Sequence, residues 1–250
     1  MLSDDLIVVN KPYGATPLET IQALRRLGIL SENEKATYAG RLDPLATGLL
    51  IILKGAGIHE KEKYLALEKT SEIDLVFGAA TDTGDLLGVP HAQESAAPQP
   101  EEIAAHLESI SEGEYPAFSS KTVNGKALHE YAREGVQIPR PSRPMRYSVT
   151  YASKTPAITS KNLISQIAMA CELVKGDFRQ TEILSAWKAL KLSENLAQYT
   201  LTINATSGTY MRAIPEIIQK KFGAVSVVTR ITRTKIGDLD LKNKNVVQIH

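Results

Sequence analysis

The spacing of apolar residues along the chain alternates between the period of strands and the period of helices. Short apolar runs or alternating patterns predict strands at residues 6–9, 49–53, 73–77, 145–152, 199–203 and 225–231. Apolar residues three to four positions apart predict helices at residues 16–30, 100–111, 160–192 and 209–222. Because strands and helices do not alternate strictly, this pattern predicts an α+β fold rather than a doubly wound one.

Local signals refine this outline. Thr16, Pro17 and Glu19 form a capping box with proline at the first helical position, so the first helix begins there. The segment at 160–192 contains a Gly-Asp pair at 176–177, where we expect the helix to break. Residues 86–100 have the composition of a surface loop, and residues 115–144 are predicted to be loop-like with one short helix near 127–133.

Composition narrows the class of protein. The 250 residues are 43% hydrophobic, enough for one large core or two modest ones. No apolar run reaches the roughly 18–20 residues that span a bilayer, and no signal peptide is visible. The single cysteine, Cys171, excludes an internal disulfide and a multi-cysteine zinc site, and its apolar surroundings predict a buried, inert thiol. We therefore expect a cytoplasmic protein that does not bind membranes.

The formal net charge of +1 conceals a strong asymmetry. Residues 60–115 carry 13 acidic and 3 basic side chains, whereas residues 116–147 carry 6 basic and 2 acidic ones. Residues 207–235 carry 6 basic side chains and 1 acidic one. A nearly neutral protein can bind nucleic acid when its basic residues share a face, although such clusters are also ordinary surface charge.

Two short segments far apart in sequence carry the candidate chemistry. The segment Gly40–Gly48 places Asp43 in a tight Asp-Pro turn between two glycines, and Ser207–Arg212 places Arg212 near the start of a helix. A loop carboxylate and a guanidinium fixed by a helix can meet as a bidentate ion pair, which keeps the acid ionised and oriented. Taken alone, each residue has a commoner structural role, so the prediction depends on further segments.

Together the two segments resemble the TruB-type family of RNA pseudouridine synthases. Members of that family carry a Gly-x-Leu-Asp-Pro-x-Ala-Thr-Gly loop and a Gly-Thr-Tyr-x-Arg segment. Further matches follow in the same order along the chain, at residues 10–14, 81–85, 118–144 and 231–237. The resemblance implies one catalytic domain with a mixed, largely antiparallel sheet flanked by helices, and a mobile RNA-gripping insertion at residues 116–144.

The resemblance also implies an activity that needs no metal, redox centre or other cofactor. The family's enzymes break the N1–C1′ bond of a uridine in RNA and rejoin the sugar through C5, after the base has left its stack. By resemblance, Asp43 is the catalytic carboxylate and Arg212 its partner. An ionised Asp43 attacks the sugar or the base, or removes a sugar proton, and the sequence leaves these three routes open. The expected target is uridine 55 in the T-arm of tRNA.

Further residues take roles from the same resemblance. Residues expected to surround the base are Tyr38, Ser71, Tyr210, Ile231, Lys11 and Asp85. Residues expected to bind RNA are Lys121, Lys126, Arg133 and Arg233. Packing is an alternative role for Tyr210 and Ile231, and support of loops and polar networks for Lys11 and Asp85.

The chain departs from the family pattern at four places. The family usually has His at position 38 and, at position 71, a tyrosine whose ring stacks on the target uracil, but this chain has Tyr38 and Ser71. Residues 157–192 have no assignable counterpart, and the C-terminal PUA RNA-binding domain of most bacterial members is not expected here. We hypothesise that the Tyr38 ring replaces the missing one, since base–aromatic stacking is worth about 1–3 kcal/mol. Alternatively Tyr38 packs against the loop, or Tyr64 supplies the ring.

Three classes of function follow. The first is a standalone isomerase acting on tRNA, with no protein partner implied. The second is a tRNA-binding or tRNA-folding module with weak or lost catalysis, which the loss of the aromatic residue at Ser71 supports. The third is an unrelated hydrolase using Asp43, which is disfavoured because no partner carboxylate, His–Ser pair or metal-ligand cluster lies near Asp43 in the sequence.

Overall fold

The computed structural model describes residues 4–93 and 95–249, and it confirms the α+β fold. The strands are β1 (Leu6–Lys11), β2 (Ala36–Ala39), β3 (Ala46–Lys54), β4 (Lys69–Phe77), β5 (Ala79–Thr81), β6 (Pro90–Ala92), β7 (Glu112–Glu114), β8 (Thr122–Val123), β9 (Lys126–Ala127), β10 (Ser142–Pro144), β11 (Tyr147–Thr159), β12 (Asn195–Ala205), β13 (Ser226–Ile236), β14 (Leu239–Asp240) and β15 (Val247–Gln248). The α-helices are α1 (Pro17–Arg26), α2 (Lys61–Ala66), α3 (Pro100–Glu108), α4 (Leu128–Arg133), α5 (Ser160–Leu173), α6 (Gln180–Ala189) and α7 (Ile214–Phe222), and short 3₁₀ helices cover Gly55–Glu60 and Met211–Ala213.

One nine-stranded sheet forms the framework. Its main order is β11-β12-β4-β13-β3-β1-β15, with β2 on β3 and β14 on β13. The pairs β3–β13 and β1–β15 are parallel and the others antiparallel, which confirms the predicted mixed, largely antiparallel sheet. The parallel pair aligns Ala46 with Ile231 and Gly48 with Arg233. The loop that carries Asp43 therefore enters the sheet directly beside β13.

Helices cover both faces of the sheet. One face packs against α1, α3 and α7, and Leu24, Ile103 and Ile218 are completely buried there. The other face is divided between two smaller apolar clusters, one beneath α5 and α6 and one beside β1, β3 and α2. Alternate residues of β3 point to opposite faces, which explains why its run from 49 to 53 is apolar throughout.

The predicted elements are present, but several boundaries differ. Helix α1 ends at Arg26, because Leu27 is its C-cap and Gly28 adopts a left-handed φ of 71°. The prediction that a helix begins at residue 209 was wrong for its first turn. Tyr210 is extended, a 3₁₀ turn covers Met211–Ala213, and α7 begins at Ile214. Residues 86–100 are not simply a surface loop, since Leu86 and Leu87 are buried.

The predicted RNA-gripping insertion and the segment without an assignable counterpart both have defined secondary structure outside the nine-stranded sheet. The predicted insertion contains the β8–β9 hairpin followed by α4, and β10 closes it by pairing with β7. The segment at 157–192 forms α5 and α6, and its predicted break near Gly176 and Asp177 is confirmed. Trp187 of α6 is completely buried and donates its indole N–H to the Gly88 carbonyl at 3.2 Å.

Candidate active site

The Asp43 loop is held by backbone bonds on both sides. The Ala46 amide donates to the Asp43 carbonyl at 3.0 Å and closes the turn, and the Gly14 amide donates to the Pro44 carbonyl at 2.9 Å. Gly48 has a φ of 99°, and a Cβ at this position would overlap the Arg233 carbonyl oxygen. The second glycine of the motif therefore allows β3 to approach β13 and fixes where the loop emerges.

Arg212 joins three separate parts of the chain. Its Nε donates to Asp43 Oδ2 at 2.7 Å, its Nη1 to the Thr83 carbonyl at 2.8 Å and its Nη2 to the Phe118 carbonyl at 3.1 Å. The expected contact with Asp43 is present, but it uses one nitrogen and not the predicted bidentate fork. The Arg212 side chain is 7% exposed, and that of Asp43 is 31% exposed. The arginine is thus fixed inside the protein while the carboxylate stays accessible.

Two carboxylates share this guanidinium and differ in acidity. Burial acts to raise the pKa of Asp43, but the charge and hydrogen bond of Arg212, followed by the charges of Arg233 and Lys11, hold it below the ordinary value. Asp85 Oδ2 lies 3.5 Å from Arg212 Nε, and burial raises the pKa of Asp85, with the Asp43 charge adding to the effect. Of the two carboxylates, Asp43 therefore holds its negative charge to lower pH, and Asp85 accepts a proton more readily.

Asp85 and Lys11 support the loops around the site. Asp85 Oδ1 accepts hydrogen bonds from the Thr83 hydroxyl at 2.8 Å and from the Leu87 amide at 3.1 Å. Lys11 is completely buried, and its ammonium donates to three backbone carbonyls, those of Ala15 at 2.6 Å, Pro12 at 2.9 Å and Pro44 at 3.2 Å. Burial lowers the pKa of Lys11 to about 7. Lys11 thus connects the N-terminal turn with the Asp43 loop.

Two cavities meet at Asp43. The first, here called the sheet cavity, lies over β4 and β13 and has a volume of about 270 Å³. The second, the insertion cavity, lies beneath the segment 118–133 and has a volume of about 310 Å³. Both are lined by Arg41, Leu42, Asp43, Ser120 and Tyr210. Asp43 can therefore be reached from two sides.

The sheet cavity contains three of the six residues expected around a base. Ser71, Ile231 and Arg233 line it together with Tyr210, and Ser71 pairs with Arg233 across β4 and β13. Tyr210 is its only aromatic lining residue within the described ranges. Arg233, which the sequence assigned to RNA binding, instead lies within the site, where its Nη2 donates to the Arg41 carbonyl at 2.7 Å and burial lowers its pKa to about 10.

The structure does not bring Tyr38 to either cavity. Tyr38 lies on β2 opposite Ile52, and the Lys61 ammonium is 5.7 Å from the centre of its ring. Tyr64, the alternative source of a ring, packs against the apolar cluster of β1 and β3. In the part of the chain that the structure describes, neither ring lines either cavity, and Tyr210 is the aromatic residue that lines the sheet cavity together with Ser71.

The three basic residues of the insertion differ in their surroundings. Lys121 is exposed, and its ammonium lies 5.3 Å from the centre of the Tyr115 ring. Lys126 is paired with Glu134 inside the insertion. Arg133 is exposed, lines the insertion cavity and donates to the Asp177 carbonyl at 2.8 Å.

Sequence reasoning missed two groups of residues. The carbonyls of Thr83 and Phe118 hold Arg212, and only their position inside matched segments could have indicated this, because backbone acceptors leave no residue signature. Phe178 and Arg179 line the insertion cavity although they belong to the segment without a counterpart. Across residues 4–93 and 95–249, there is no group of three or more His, Cys, Asp or Glu side chains placed to hold a metal ion. Over the same residues, none of the helices has the length and apolar character needed to cross a membrane.

Comparison with known proteins agrees with these motifs. The family model described as the N-terminal domain of TruB family pseudouridylate synthases matches residues 28–176. The tRNA pseudouridine synthase B of Bordetella pertussis is 30% identical over 200 residues, which cover 78% of each chain. That of Psychrobacter arcticus is 27% identical over 242 residues, covering 94% of this chain and 53% of the relative. The chain thus spans about half the length of the Psychrobacter relative.

Solved structures agree at the level of the fold. A chain in the crystal structure of a Cbf5-Nop10-Gar1 complex superposes with a TM-score of 0.54 at 14% identity, covering 98% of this chain and 52% of that one. A chain in an archaeal box H/ACA sRNP Nop10-Cbf5 complex gives a TM-score of 0.51 at 15% identity, covering 97% and 50%. Since the family model covers more than half of the residues, and the family's loop supplies the Asp43 that faces both cavities, this chain belongs to the TruB family of pseudouridylate synthases.

Proposed function

We propose that this protein is a tRNA pseudouridine synthase that converts uridine 55 of the T-loop to pseudouridine, with Asp43 as its catalytic carboxylate. The observation that carries the proposal is the Asp43–Arg212 ion pair at the junction of two cavities. Family membership supports the reaction class, and the names of the curated relatives support tRNA as the substrate. The choice of uridine 55 rests on the resemblance of the motifs.

The geometry suits a reaction at one oxygen of Asp43. Oδ2 is occupied by Arg212, whereas no hydrogen-bond donor of the described residues reaches Oδ1. A low pKa keeps this oxygen anionic, and a fixed guanidinium preserves its orientation while charge moves during the reaction. We assign Oδ1 as the atom that attacks the sugar or base or removes a sugar proton, the three routes that the chemistry allows.

The sheet cavity is the proposed place for the flipped uracil. Ile231 supplies an apolar surface beneath the base, and Tyr210 supplies an aromatic face in place of the ring that Ser71 lacks. The rest of the base must then be held by polar groups, for which Ser71 and Arg233 are available. The insertion is proposed to close over the RNA through its basic residues.

A second candidate function is RNA binding or tRNA folding with weak or lost catalysis. It is favoured by one observation, the absence of a second aromatic residue in the sheet cavity where Ser71 stands, among the residues that the structure describes. Both candidates predict binding of tRNA, so only turnover separates them.

The experiment that tests the proposal is release of tritium from 5-tritiated uridine in unmodified tRNA. The wild-type protein should release tritium, and a transcript with cytidine at position 55 should release one equivalent less. Asp43→Asn keeps the size and polarity of the side chain but removes the anion, so turnover should fall by several orders of magnitude with little change in tRNA affinity. Substantial turnover by Asp43→Asn would contradict the assignment, and binding without turnover by the wild type would favour the second candidate.

A further inference from the structure

The helical pair α5–α6, to which the sequence motifs assigned no role, reaches the insertion cavity with its tip. The tip, defined here as residues 174–179, connects the two helices, and its last two residues, Phe178 and Arg179, line the insertion cavity together with Asp43 and Arg133. The pair itself is anchored on the sheet by an apolar cluster that includes Trp187. A firmly packed element thus presents a short loop to the site.

The backbone of the tip is held by local hydrogen bonds and contains one residue in a strained conformation. Arg179 has a φ of 61°, in the left-handed region that a non-glycine residue rarely adopts. The conformation is held by the Gln180 side chain, which donates to the carbonyls of Val174 and Gly176 and accepts from the Phe178 amide. Residues that their surroundings hold in sparsely populated backbone conformations cluster at functional sites.

The tip contacts two parts of the site, the turn at residues 81–85 and the insertion. Arg179 Nη1 donates to Asp82 Oδ2 at 2.9 Å, in the turn that also carries Asp85. The Arg179 guanidinium stacks 4.8 Å from the centre of the Phe118 ring, and the Asp177 carbonyl accepts from Arg133 of the insertion. These contacts connect the helical pair with the catalytic turn and with the segment proposed to grip RNA.

The chemistry of the cavity wall fits a nucleotide. Arg133, Arg179 and Arg41 provide three cations, and Phe178 provides a half-buried aromatic side chain. Aromatic faces stack on bases and guanidinium groups pair with phosphates, and a volume of about 310 Å³ is in the range of small-ligand sites. Asp82 pairs with Arg179 Nη1, and Asp43 and Asp85 lie against Arg212. Among the described residues, Arg41 and Arg133 form no ion pair and Arg179 Nη2 has no hydrogen-bond partner, so this wall keeps donors for an anion.

We propose that the tip of the α5–α6 pair is an RNA-contacting element, in which Phe178 stacks on the base of a nucleotide adjacent to the target uridine while Arg179 and Arg133 hold the intervening phosphate. This inference rests on the proposed function, because it takes the sheet cavity as the place of the target uridine. It assigns a role in substrate binding to a segment that the shared family motifs do not include.

The test measures tRNA affinity in the Asp43→Asn background, where no turnover interferes. Arg179→Gly removes the guanidinium and suits the left-handed backbone. Relief of strain offsets the loss of the Asp82 ion pair and the greater entropy of the unfolded chain, so the thermal midpoint should change little while affinity falls about tenfold. The slope of log affinity against log salt should fall by about one, as for one lost phosphate contact. Lys188→Ala, at the far end of α6, is the control and should change neither quantity.

Phe178→Leu keeps the apolar anchor and removes only the aromatic face. Its affinity should fall about tenfold, and the difference from wild type should vanish on a tRNA that lacks the base on one side of the target. Two abasic tRNAs are compared, one lacking the base before the target and one lacking the base after it. The inference would be overturned if both tip variants bound tRNA as tightly as the wild type, or if the affinity lost by Phe178→Leu persisted on both abasic tRNAs. If the wild type isomerises no RNA but these binding differences are found, the inference stands and the proposed activity falls.

Discussion

At the scale of single residues, the orientation of Asp43 depends on how Arg212 distributes its donors. Nε holds the carboxylate while both Nη groups are bound to carbonyls, so the guanidinium is fixed at three points. Arg212→Lys keeps the charge but provides a single nitrogen, which cannot reach all three acceptors. We expect kcat to fall at least about a hundredfold, with a smaller change in KM, in a tritium-release assay. A variant with nearly normal kcat would show that charge alone is sufficient.

Lys11 is the residue whose titration should appear in stability. Its pKa is lowered from 10.5 to about 7, so between these values the folded protein binds fewer protons at this site than the unfolded chain does. The free energy of unfolding should therefore rise with pH across this window, by about 2 kcal/mol between about pH 7 and about pH 9. Urea titrations at both pH values test this, and Lys11→Met should lack the increment. Equal slopes for the two proteins would contradict the assignment.

At the scale of elements, the insertion should act as the electrostatic grip on RNA. Lys121 and Arg133 are exposed, whereas Lys126 is engaged by Glu134, so reversal of the first two charges is the cleaner test. Lys121→Glu and Arg133→Glu should each weaken tRNA binding and reduce its salt dependence. Lys154→Glu is the matched control, because Lys154 is exposed on β11 at a distance from the cavity. The end of β11 near the sheet cavity is Tyr147, which pairs with the lining residue Ala205, and Lys154 lies seven residues further along the strand. Affinity that is indifferent to salt and to both reversals would rule out this role.

At the scale of the whole molecule, the apolar cluster beneath α5 and α6 should unfold together with the sheet. It contains Trp187 and Ile167 of the helical pair, but also Val76 and Val227 of the central strands and Leu45 of the Asp43 loop. Trp187→Ala should lower the free energy of unfolding by about 3–5 kcal/mol, and a single urea transition should remain. Trp187→Phe keeps most of the volume and should cost less. Two separate transitions in the wild type would show that the helical pair is an independent unit.

The sequence by itself determined the fold class and the central ion pair. The apolar runs in β3 and β4 and the capping box of α1 are local signals. Such signals predict a strand or a helix whatever the order of the strands in the sheet. The pairing of Asp43 with Arg212 was predicted because both residues lie in segments that resemble TruB-type motifs in the same order along the chain. The same resemblance assigned Ser71 and Ile231 to the surroundings of the base, and the sheet brings both to one cavity.

Only the tertiary structure decided which side chains share a cavity. Whether Tyr38 points to the core or to the site depends on the register of β2 on β3, and whether Arg233 faces RNA or Asp43 depends on the parallel pairing of β13 with β3. Phe178 and Arg179 reach the site because a helical pair packs on a distant part of the sheet. Such contacts join residues with no common pattern in sequence, since packing and strand register are properties of the assembled core.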